Sequence, residues 1–213
     1  MKNLANQQIA VLGLGHFGMS IAKVLSEHGV NLVVCDKDPH LVQEASSFVL
    51  HTLQMDITDE VALEQLGLGN FDTVIVSTGR DFEASVIAMT FAKEKGVPHI
   101  IVKAMTLRQK KILESLGADR VVLPESEMGK RVAMSLIQPD ITDLFHANKN
   151  LRIYEMQPVE YWIGKSIMTS KIRNDYNVTI LGIRRGKKFI VPVSPDEVIM
   201  EEDSLLVLDM SGK

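Results

Sequence analysis

The stretch Ile9-Ala-Val-Leu-Gly-Leu-Gly-His-Phe-Gly18 carries the strongest indication of the fold of this chain. Its apolar beginning predicts a buried parallel strand, and apolar residues at helical intervals predict a helix over residues 17–28. Between these elements the glycines stand in the spacing G-x-G-x-x-G, which at such a place is typical of a turn around a nucleotide phosphate. We expect Gly13 to allow the tight turn, Gly15 to admit the phosphate and Gly18 to let the helix pack on the strand.

A second apolar segment, residues 31–36, predicts another strand, and it ends in the acidic residue Asp36. An acid at the end of this strand suits a free ribose 2′-hydroxyl and disfavours a 2′-phosphate. Together with the free N–H groups at the start of the first helix, it predicts a site for an adenosine nucleotide. The alternative is a doubly wound fold in which the glycine turn serves packing alone.

The composition of the 213-residue chain is that of an ordinary globular protein, with 46% hydrophobic and 23% charged residues. Its net charge of −4 gives no reason to expect a nucleic-acid partner. The single cysteine, Cys35, excludes an internal disulfide and fits a reducing compartment. No apolar run approaches the roughly 20 residues that span a bilayer, and residues 1–8 lack a signal-peptide core. We therefore expect a soluble, cytoplasmic protein that reaches a membrane only through a partner.

Continuous apolar segments alternate with helical patterns through residues 1–137. Apolar strands separated by helices form a parallel sheet that is covered on both faces. The sequence therefore predicts an α/β fold over these residues, a Rossmann-like doubly wound parallel sheet. The predicted strands are residues 9–12, 31–36, 49–54, 71–77, 99–102 and 120–123, and the predicted helices are 17–28, 40–48, 59–66, 81–95, 106–116 and 124–137.

The sequence pattern changes after residue 137. Residues 138–150, which include a short amphipathic piece at 141–147, are predicted as a linker. Residues 151–156 alternate between apolar and polar, as a strand with one solvated face does. We expect residues 151–213 to form a small α+β C-terminal lobe. Its predicted elements are strands at 151–156, 178–183, 189–193 and 204–209, a short helix within 167–176 and a charged hairpin turn at 184–188.

In a doubly wound sheet the ligand lies at the carboxyl ends of the strands, which singles out the residues that follow each predicted strand. Asp36, Asp56, residues 77–79 and Lys103 occupy such positions. Asp56 either accepts a hydrogen bond from an adenine amino group or, with Thr58, caps the next helix. Lys103 either faces phosphate or is a solvated strand end. The sequence leaves both pairs of alternatives open.

An enzymatic reading starts from Tyr161-x-x-x-Lys165, the spacing of the catalytic pair in short-chain dehydrogenases. That chemistry needs both residues on a long helix of the nucleotide domain, whereas this pair flanks Gly164 in the C-terminal lobe. The histidines are scattered, and none pairs with an acid at metal-ligand spacing. The sequence therefore favours a binding module that is not an enzyme. An NAD-dependent oxidoreductase of unknown substrate and a structural adaptor with a vestigial pocket are the alternatives.

With these pieces assembled, the chain resembles the RCK family, the regulators of potassium conductance. Within it the chain is most similar to the TrkA-N/TrkA-C regulatory subunits of bacterial Ktr/Trk-type potassium uptake systems. The resemblance covers nearly the whole chain. It rests on residues 11–18, Asp36, residues 56–58, 71–76, 102–104, 116–119, 123–129, 164–167, 180–186 and 202–203.

The resemblance implies that homodimers build a ring, commonly an octamer, which docks under a membrane potassium translocator. Exchange of ATP and ADP, or of NADH and NAD, would change the shape of the ring and gate the pore. The helix at 124–137, with apolar Val132, Met134 and Leu136, is the candidate for crossing between subunits. The residues predicted to contact the nucleotide are Gly13, Leu14, Gly15, His16, Phe17, Gly18, Asp36, Lys37, Asp56, Ile57, Ser77, Thr78, Gly79, Lys103 and Glu125.

The match to the family has one departure in the glycine turn. Many Ktr-like subunits carry an arginine that reads the γ-phosphate where this chain has His16. Histidine is shorter and mostly neutral at pH 7, although phosphate favours its charged form. The nucleotide, ATP/ADP or NAD(H), therefore stays open.

Two further ligands follow from the resemblance alone. The acid that matches Glu125 lies near the phosphates and binds a divalent cation, Mg²⁺ or Ca²⁺, shared between subunits. As a first-turn acid, Glu125 has a plain structural reading as well. Some family members bind cyclic di-AMP between two C-terminal lobes. Ile167, Met168 and Arg173 match that pattern, but Lys171 and Thr179 replace its acid and its asparagine, so the sequence does not favour this ligand.

Overall fold

The computed structural model describes residues 7–137, 141–148 and 151–209 of the chain. Side chains are described in residues 7–137 and 153–209. The backbone contacts divide the chain into two compact units, Met1–Glu127 and Met128–Lys213, which are described separately. The predicted helix break and linker at 138–140 and 149–150 lie outside the described residues.

The first unit is a six-stranded sheet in the order β3-β2-β1-β4-β5-β6, and all of its strand pairs are parallel. A helix follows every strand, so the predicted Rossmann-like fold is confirmed. The elements are β1 (Gln8–Leu12), α1 (His16–Glu27), β2 (Asn31–Asp36), α2 (Pro39–Ala45), β3 (His51–Gln54), α3 (Glu60–Leu66), β4 (Thr73–Val76), α4 (Phe82–Glu94), β5 (His99–Lys103), α5 (Leu107–Leu116), β6 (Arg120–Val122) and α6 (Pro124–Ile137), whose last residues belong to the second unit.

Helices α2 to α5 of the first unit begin at side-chain caps. Asp59 accepts hydrogen bonds from the N–H groups of Val61 and Ala62 at the start of α3, and Asp81 and Thr106 cap α4 and α5 in the same way. Such caps satisfy N–H groups that have no partner within the helix. α1 differs, because Gly15 at its N-cap position has no side chain with which to cap it.

The two faces of the sheet are covered by different helices. Apolar residues of α3, α4 and α5 pack on one face, and those of α1 and α2 pack on the other, over β1 and β2. The interior strand positions are fully buried, and they include Cys35, whose thiol has a pKa raised to about 12 chiefly by burial. At that pKa the thiol stays protonated at neutral pH, so Cys35 is an inert core residue.

The register of the sheet brings three predicted site residues to one edge. Leu12, the last residue of β1, is level with Cys35 of β2 and with Val76 of β4. The next residue of each segment is Gly13, Asp36 or Ser77. These three residues therefore lie side by side at the carboxyl ends of neighbouring strands, where ligands of such sheets bind.

The second unit contains an antiparallel five-stranded sheet in the order β10-β9-β11-β8-β7. Its buried core includes Trp162, Ile183 and Leu205. The predicted small α+β lobe is confirmed. The elements are β7 (Ile141–Asn148), β8 (Leu151–Met156), α7 (Ile172–Tyr176), β9 (Val178–Arg185), β10 (Lys188–Ile190) and β11 (Asp203–Asp209).

One predicted element of the tail is wrong, and another occupies only part of the range in which it was expected. The piece at 141–147, expected within a linker, belongs to strand β7, because its backbone pairs with β8. The short helix expected within residues 167–176 is α7, which begins only at Ile172. Before it, the side chain and carbonyl of Ser166 bind Thr169 and Ser170, and Lys171 has a left-handed φ of 49°, so this segment forms turns.

Candidate functional site

The turn between β1 and α1 is closed by contacts that only glycine allows. Gly13 has φ of +97°, and its N–H donates to the carbonyl oxygen of Cys35 at 2.8 Å. A Cβ at Gly18 would lie 2.0 Å from the carbonyl oxygen of Gly13 and 2.5 Å from the hydroxyl of Ser77. Gly13 and Gly18 therefore serve the turn and the helix–strand contact.

Gly15 faces open space instead. A Cβ built on it meets nothing within 4 Å, and no side chain caps the start of α1. The first turn of α1 also carries no acidic residue. Its N–H groups and the positive end of its dipole are therefore available to an anion. His16 is exposed in this first turn, and Phe17 beside it is half-buried.

Asp36 is bound to the glycine turn itself. Its Oδ2 accepts the N–H of Leu14 at 2.6 Å, and its Oδ1 accepts the N–H of Asp38 at 2.9 Å. The Leu14 side chain is buried in the core, so this residue presents only its backbone to the site. The carboxylate is thus held at the edge of the turn, where a ribose of a nucleotide bound there would lie.

Asp56 bonds to Thr58 but does not cap the next helix, so the structural alternative that the sequence left open for Asp56 is wrong. Its Oδ1 accepts both the N–H and the hydroxyl of Thr58, at 2.9 and 2.8 Å, and these bonds lower the pKa of the carboxyl below its usual range. The helix cap itself is the neighbouring Asp59. Ile57 is only 5% exposed and packs in the core, so its side chain does not line an open site. The positive charge of the exposed Lys37 also contributes to lowering the pKa of Asp56.

In the segment after β4, two hydroxyl groups are already hydrogen-bonded to other parts of the first unit. The hydroxyl of Ser77 donates to the carbonyl oxygen of Gly13 at 2.5 Å, and it is buried. The hydroxyl of Thr78 lies 3.2 Å from that of Ser85 in α4. Gly79 has another role, because the absence of a Cβ lets the side-chain stem of Lys103 pack closely, 3.2 to 3.4 Å from where that Cβ would be.

Lys103, Glu125 and Phe17 form a cluster beside the glycine turn. The ammonium of Lys103 donates to Oε1 of Glu125 at 2.7 Å and lies 5.7 Å from the centre of the Phe17 ring. The hydrogen bond from Lys103 is the main cause that lowers the pKa of Glu125. The sequence placed Lys103 and Glu125 separately among the site residues and gave no sign of their pairing.

A groove of about 310 Å³ opens on the sheet face next to this cluster. Its walls are largely apolar and come from α1, from strands β4, β5 and β6, and from the start of α6. The sequence gives no sign of this groove, because which elements meet on one face of the sheet depends on the strand order. The lining residues are Phe17, Ile21, Ile75, Ile101, Arg120, Val122, Pro124 and Glu127.

The predicted divalent cation at Glu125 does not fit the residues of one chain. Wherever side chains are described, no three His, Cys, Asp or Glu side chains come together as metal ligands do. Glu125 is paired with the ammonium of Lys103, which repels a cation.

The Tyr161/Lys165 pair lies in the second unit and makes a contact of another kind. Tyr161 is part of a 3₁₀ turn, Glu160–Trp162, and the ammonium of Lys165 lies 3.1 Å from the centre of its ring. This is a cation–π contact with the ring face rather than a hydrogen bond with the phenol. The pair is therefore not on a helix of the nucleotide domain, as a short-chain dehydrogenase would require.

The fold and the site define a class of protein, in which a Rossmann-type domain with an open glycine turn is joined to a small antiparallel lobe. Two family models match the chain, the TrkA-N domain over residues 9–124 and the TrkA-C domain over residues 151–208. Ktr system potassium uptake protein C of Bacillus subtilis (strain 168) is 38% identical over 202 residues, which cover 95% of this chain and 91% of that protein. For Ktr system potassium uptake protein A of the same organism, the identity is 33% over 208 residues, with coverage of 98% and 94%. The chain belongs to the TrkA-N/TrkA-C family that includes the Ktr potassium uptake proteins, so the resemblance is confirmed.

Among solved structures, the GsuK channel bound to NAD has a similar fold, with a TM-score of 0.64 at 16% identity. The match covers 97% of this chain but only 38% of the channel chain. At this identity the similarity concerns the fold alone. Among the residues that the structure describes here, no helix is both long and apolar enough to cross a bilayer.

Proposed function

We propose that this chain is a cytoplasmic regulatory subunit that senses adenosine nucleotides and controls a membrane potassium transporter. Membership of the family that includes the Ktr potassium uptake proteins supports the link to potassium uptake. The observation that carries the sensing role is the bond from the Leu14 N–H to Asp36, beside a helix start that no side chain caps. This arrangement offers an acceptor for ribose and free donors for phosphate within one turn.

The roles of the site residues follow from their positions. The start of α1, with Gly15 and His16, would hold the phosphates, and Asp36 would bind the ribose hydroxyls. Lys103 would add a positive charge on the phosphate side, and Asp56 would lie towards the adenine. The ligand is ATP/ADP or NAD(H). The GsuK channel, whose fold is similar, has been solved with NAD in one structure and with ADP in another, so it supports both pairs alike.

Regulation would work by a shift between two shapes of a homo-oligomer. A nucleotide must bind one shape more tightly than the other, or it shifts nothing. The N-terminal domain would comprise residues 1–137, including α6 as the helix that crosses between subunits, and residues 151–213 would form the second domain. The exposed apolar residues Val132 and Leu136 of α6 support a contact with another copy. Dimers of this kind would build a ring that docks on the translocator.

No catalytic step belongs to this proposal, since Tyr161 and Lys165 lie outside the nucleotide-binding unit. A divalent cation at Glu125 would need oxygen ligands from a second copy of the chain, as Lys103 already occupies the carboxylate. Cyclic di-AMP in the C-terminal lobe is not part of the proposal.

Small-angle scattering of the full chain with and without ATP, ADP, NADH and NAD tests the change of shape. We expect the members of one nucleotide pair to give different radii of gyration at equal oligomer mass. The Asp36→Asn variant should lose that difference. If the oligomer binds the nucleotides but has the same radius of gyration with each of them, the gating role is contradicted. Such a result would leave the proposed binding site standing.

A further inference from the structure

We propose that Glu125 competes with nucleotide phosphate for the ammonium of Lys103, so that this ion pair holds nucleotide affinity down. The proposal rests on the proposed nucleotide site and adds a residue that sets its affinity. It concerns only residues of the first unit, Lys103 at the end of β5 and Glu125 in the first turn of α6.

Lys103 is the fixed member of the pair. Its side chain is only 13% exposed, and its stem packs against Gly79, 3.2 to 3.4 Å from where a Cβ of that residue would be. Its ammonium lies near the Phe17 ring, at the start of α1. Contacts with two other segments, at Gly79 and at Phe17, therefore hold the positive charge beside the open helix start, where the phosphates of a bound nucleotide would lie.

Glu125 is the mobile member of the pair. Its side chain is 57% exposed, so the carboxylate can turn into water without leaving a buried charge behind. The Lys103 ammonium, in contrast, would lose its partner in a mostly buried place. When the pair opens, Lys103 stays and Glu125 leaves.

Without a divalent cation, the carboxylate is unfavourable for a phosphate in either arrangement. If Glu125 keeps its hydrogen bond, a negative charge remains within a few ångströms of the incoming phosphate and repels it. If phosphate takes the ammonium, the 2.7 Å charge-assisted bond to Glu125 is lost. Both arrangements lower the affinity for nucleotides relative to a chain in which residue 125 is neutral.

Displacement of Glu125 also carries the binding event to α6. Glu125 belongs to the first turn of this helix, which follows directly on β6. In the free protein the carboxylate is tied to β5, and phosphate binding would release it. Occupancy of the site would thereby change the contacts at the start of α6.

Calorimetric titration of the full chain with ADP in the presence of EDTA tests this competition. Glu125→Gln should bind ADP about threefold to tenfold more tightly than the wild type, since the lost pair is partly exposed. The matched control is Glu127→Gln, which removes the same charge from the same helical turn and leaves the Lys103–Glu125 bond in place. Its affinity should change less than about twofold. Adenosine, which has no phosphate, should bind all three proteins alike.

Lys103→Met, alone and combined with Glu125→Gln, completes a double-mutant cycle for the ion pair. It should weaken ADP binding about tenfold through the loss of a charged donor. In that background Glu125→Gln should have a much smaller effect than in the wild type. Circular dichroism and melting of each variant establish that it is folded.

The outcomes separate this proposal from the function on which it rests. A wild-type chain that binds none of the adenosine nucleotides overturns both. Wild-type binding of ADP with weaker or unchanged binding by Glu125→Gln in EDTA overturns only the competition. An equal gain in ADP affinity in Glu127→Gln also overturns only the competition. The same holds if Glu125→Gln raises ADP affinity as much in the Lys103→Met background as in the wild type.

Discussion

The hydroxyl of Ser77, at the end of β4, donates to the carbonyl oxygen of Gly13, in the turn after β1, at 2.5 Å. The bond is buried, and it joins residues that are 64 positions apart in the sequence. A Cβ on Gly18 would lie 2.5 Å from the same hydroxyl. The glycine turn is therefore clamped by the neighbouring strand and by α1, and its shape is set before any ligand binds.

Removing the Ser77 hydroxyl should destabilise the first unit. Ser77→Ala leaves the buried carbonyl of Gly13 without this donor, and we expect a loss of about 1–3 kcal/mol in the free energy of unfolding. Urea denaturation measures it. The control is Ser20→Ala, because the Ser20 hydroxyl is exposed and bonds within its own helix to the carbonyl of His16. Equal losses in the free energy of unfolding for the two substitutions would show that the Ser77–Gly13 hydrogen bond does not stabilise the first unit.

Two glycine-to-alanine substitutions in the turn should have different effects: one should lower the stability of the fold, and the other should lower nucleotide affinity. Gly18→Ala forces a Cβ to 2.0 Å from the Gly13 carbonyl oxygen, and such overpacking costs at least about 1–3 kcal/mol of stability. Gly15→Ala meets open space at φ of −60° and ψ of 178°, so the fold should tolerate it. Its methyl group would project where phosphate binds, and nucleotide affinity should fall. Denaturation and calorimetry of both variants measure the two effects, and a stable Gly18→Ala or a fully binding Gly15→Ala would contradict these roles.

Neutralising Asp36 should weaken nucleotide binding and relax discrimination against a 2′-phosphate. The carboxylate accepts N–H groups of Leu14 and Asp38, and we expect Asp36→Asn to reduce NADH affinity about tenfold through the loss of charged hydrogen bonds. The preference for NADH over NADPH should shrink as well. Asp38→Asn is the control, because asparagine caps α2 as well as aspartate does. An unchanged NADH/NADPH ratio in Asp36→Asn would rule out a ribose contact.

The second unit should show an acid-sensitive contribution from Asp203. Burial acts to raise the pKa of this carboxyl, but hydrogen bonds from Arg185 and the Met200 N–H outweigh it, and the pKa lies below its usual 3.8. A lowered pKa stabilises the folded state above pH 3.8, and this contribution disappears as the pH falls through the folded value. Asp203→Asn should therefore cost about 2–4 kcal/mol at neutral pH and progressively less in acid. Denaturation curves across pH measure this, and a difference that does not depend on pH would exclude the ionised pair as the cause.

A charge on the exposed side of α6 should dissociate the oligomer. Leu136 is 78% exposed on the same helix as the exposed apolar residues Val132 and Ile137, and a group of such residues is typical of a contact surface. We expect Leu136→Asp to elute as a monomer from a sizing column, whereas Ser135→Asp on the same turn keeps the wild-type mass. An assembly that Leu136→Asp leaves intact would remove α6 from the subunit interface.

The sequence was sufficient for the parts of the fold that depend on local pattern. Strand β2 and helix α6 have the predicted bounds, because a continuous apolar run and a proline at a helix start are local signals. Strand β7 was mistaken for part of a linker, since pairing with β8 rather than a clear alternation makes it a strand.

In the candidate site, too, the features that follow from local sequence were predictable, and the contacts between distant residues were not. The rule that ligands bind at strand ends placed Asp36, Ser77 and Lys103 correctly at one edge of the sheet. Which of them bond to each other depends on side-chain positions across strands. The Ser77–Gly13 bond and the Lys103–Glu125 pair join residues 64 and 22 positions apart, and no local pattern encodes such contacts.

The central claim is that the glycine turn and Asp36 bind an adenosine nucleotide, and thermal melting of the full chain with ATP, ADP, NADH and NAD tests it most directly. A ligand at a hundred times its Kd adds about 2.7 kcal/mol, so at least one nucleotide should raise the Tm by roughly 5–10 °C. The same nucleotide should shift Asp36→Asn far less. If none of the four raises the Tm of the wild-type protein at millimolar concentration, the account is contradicted.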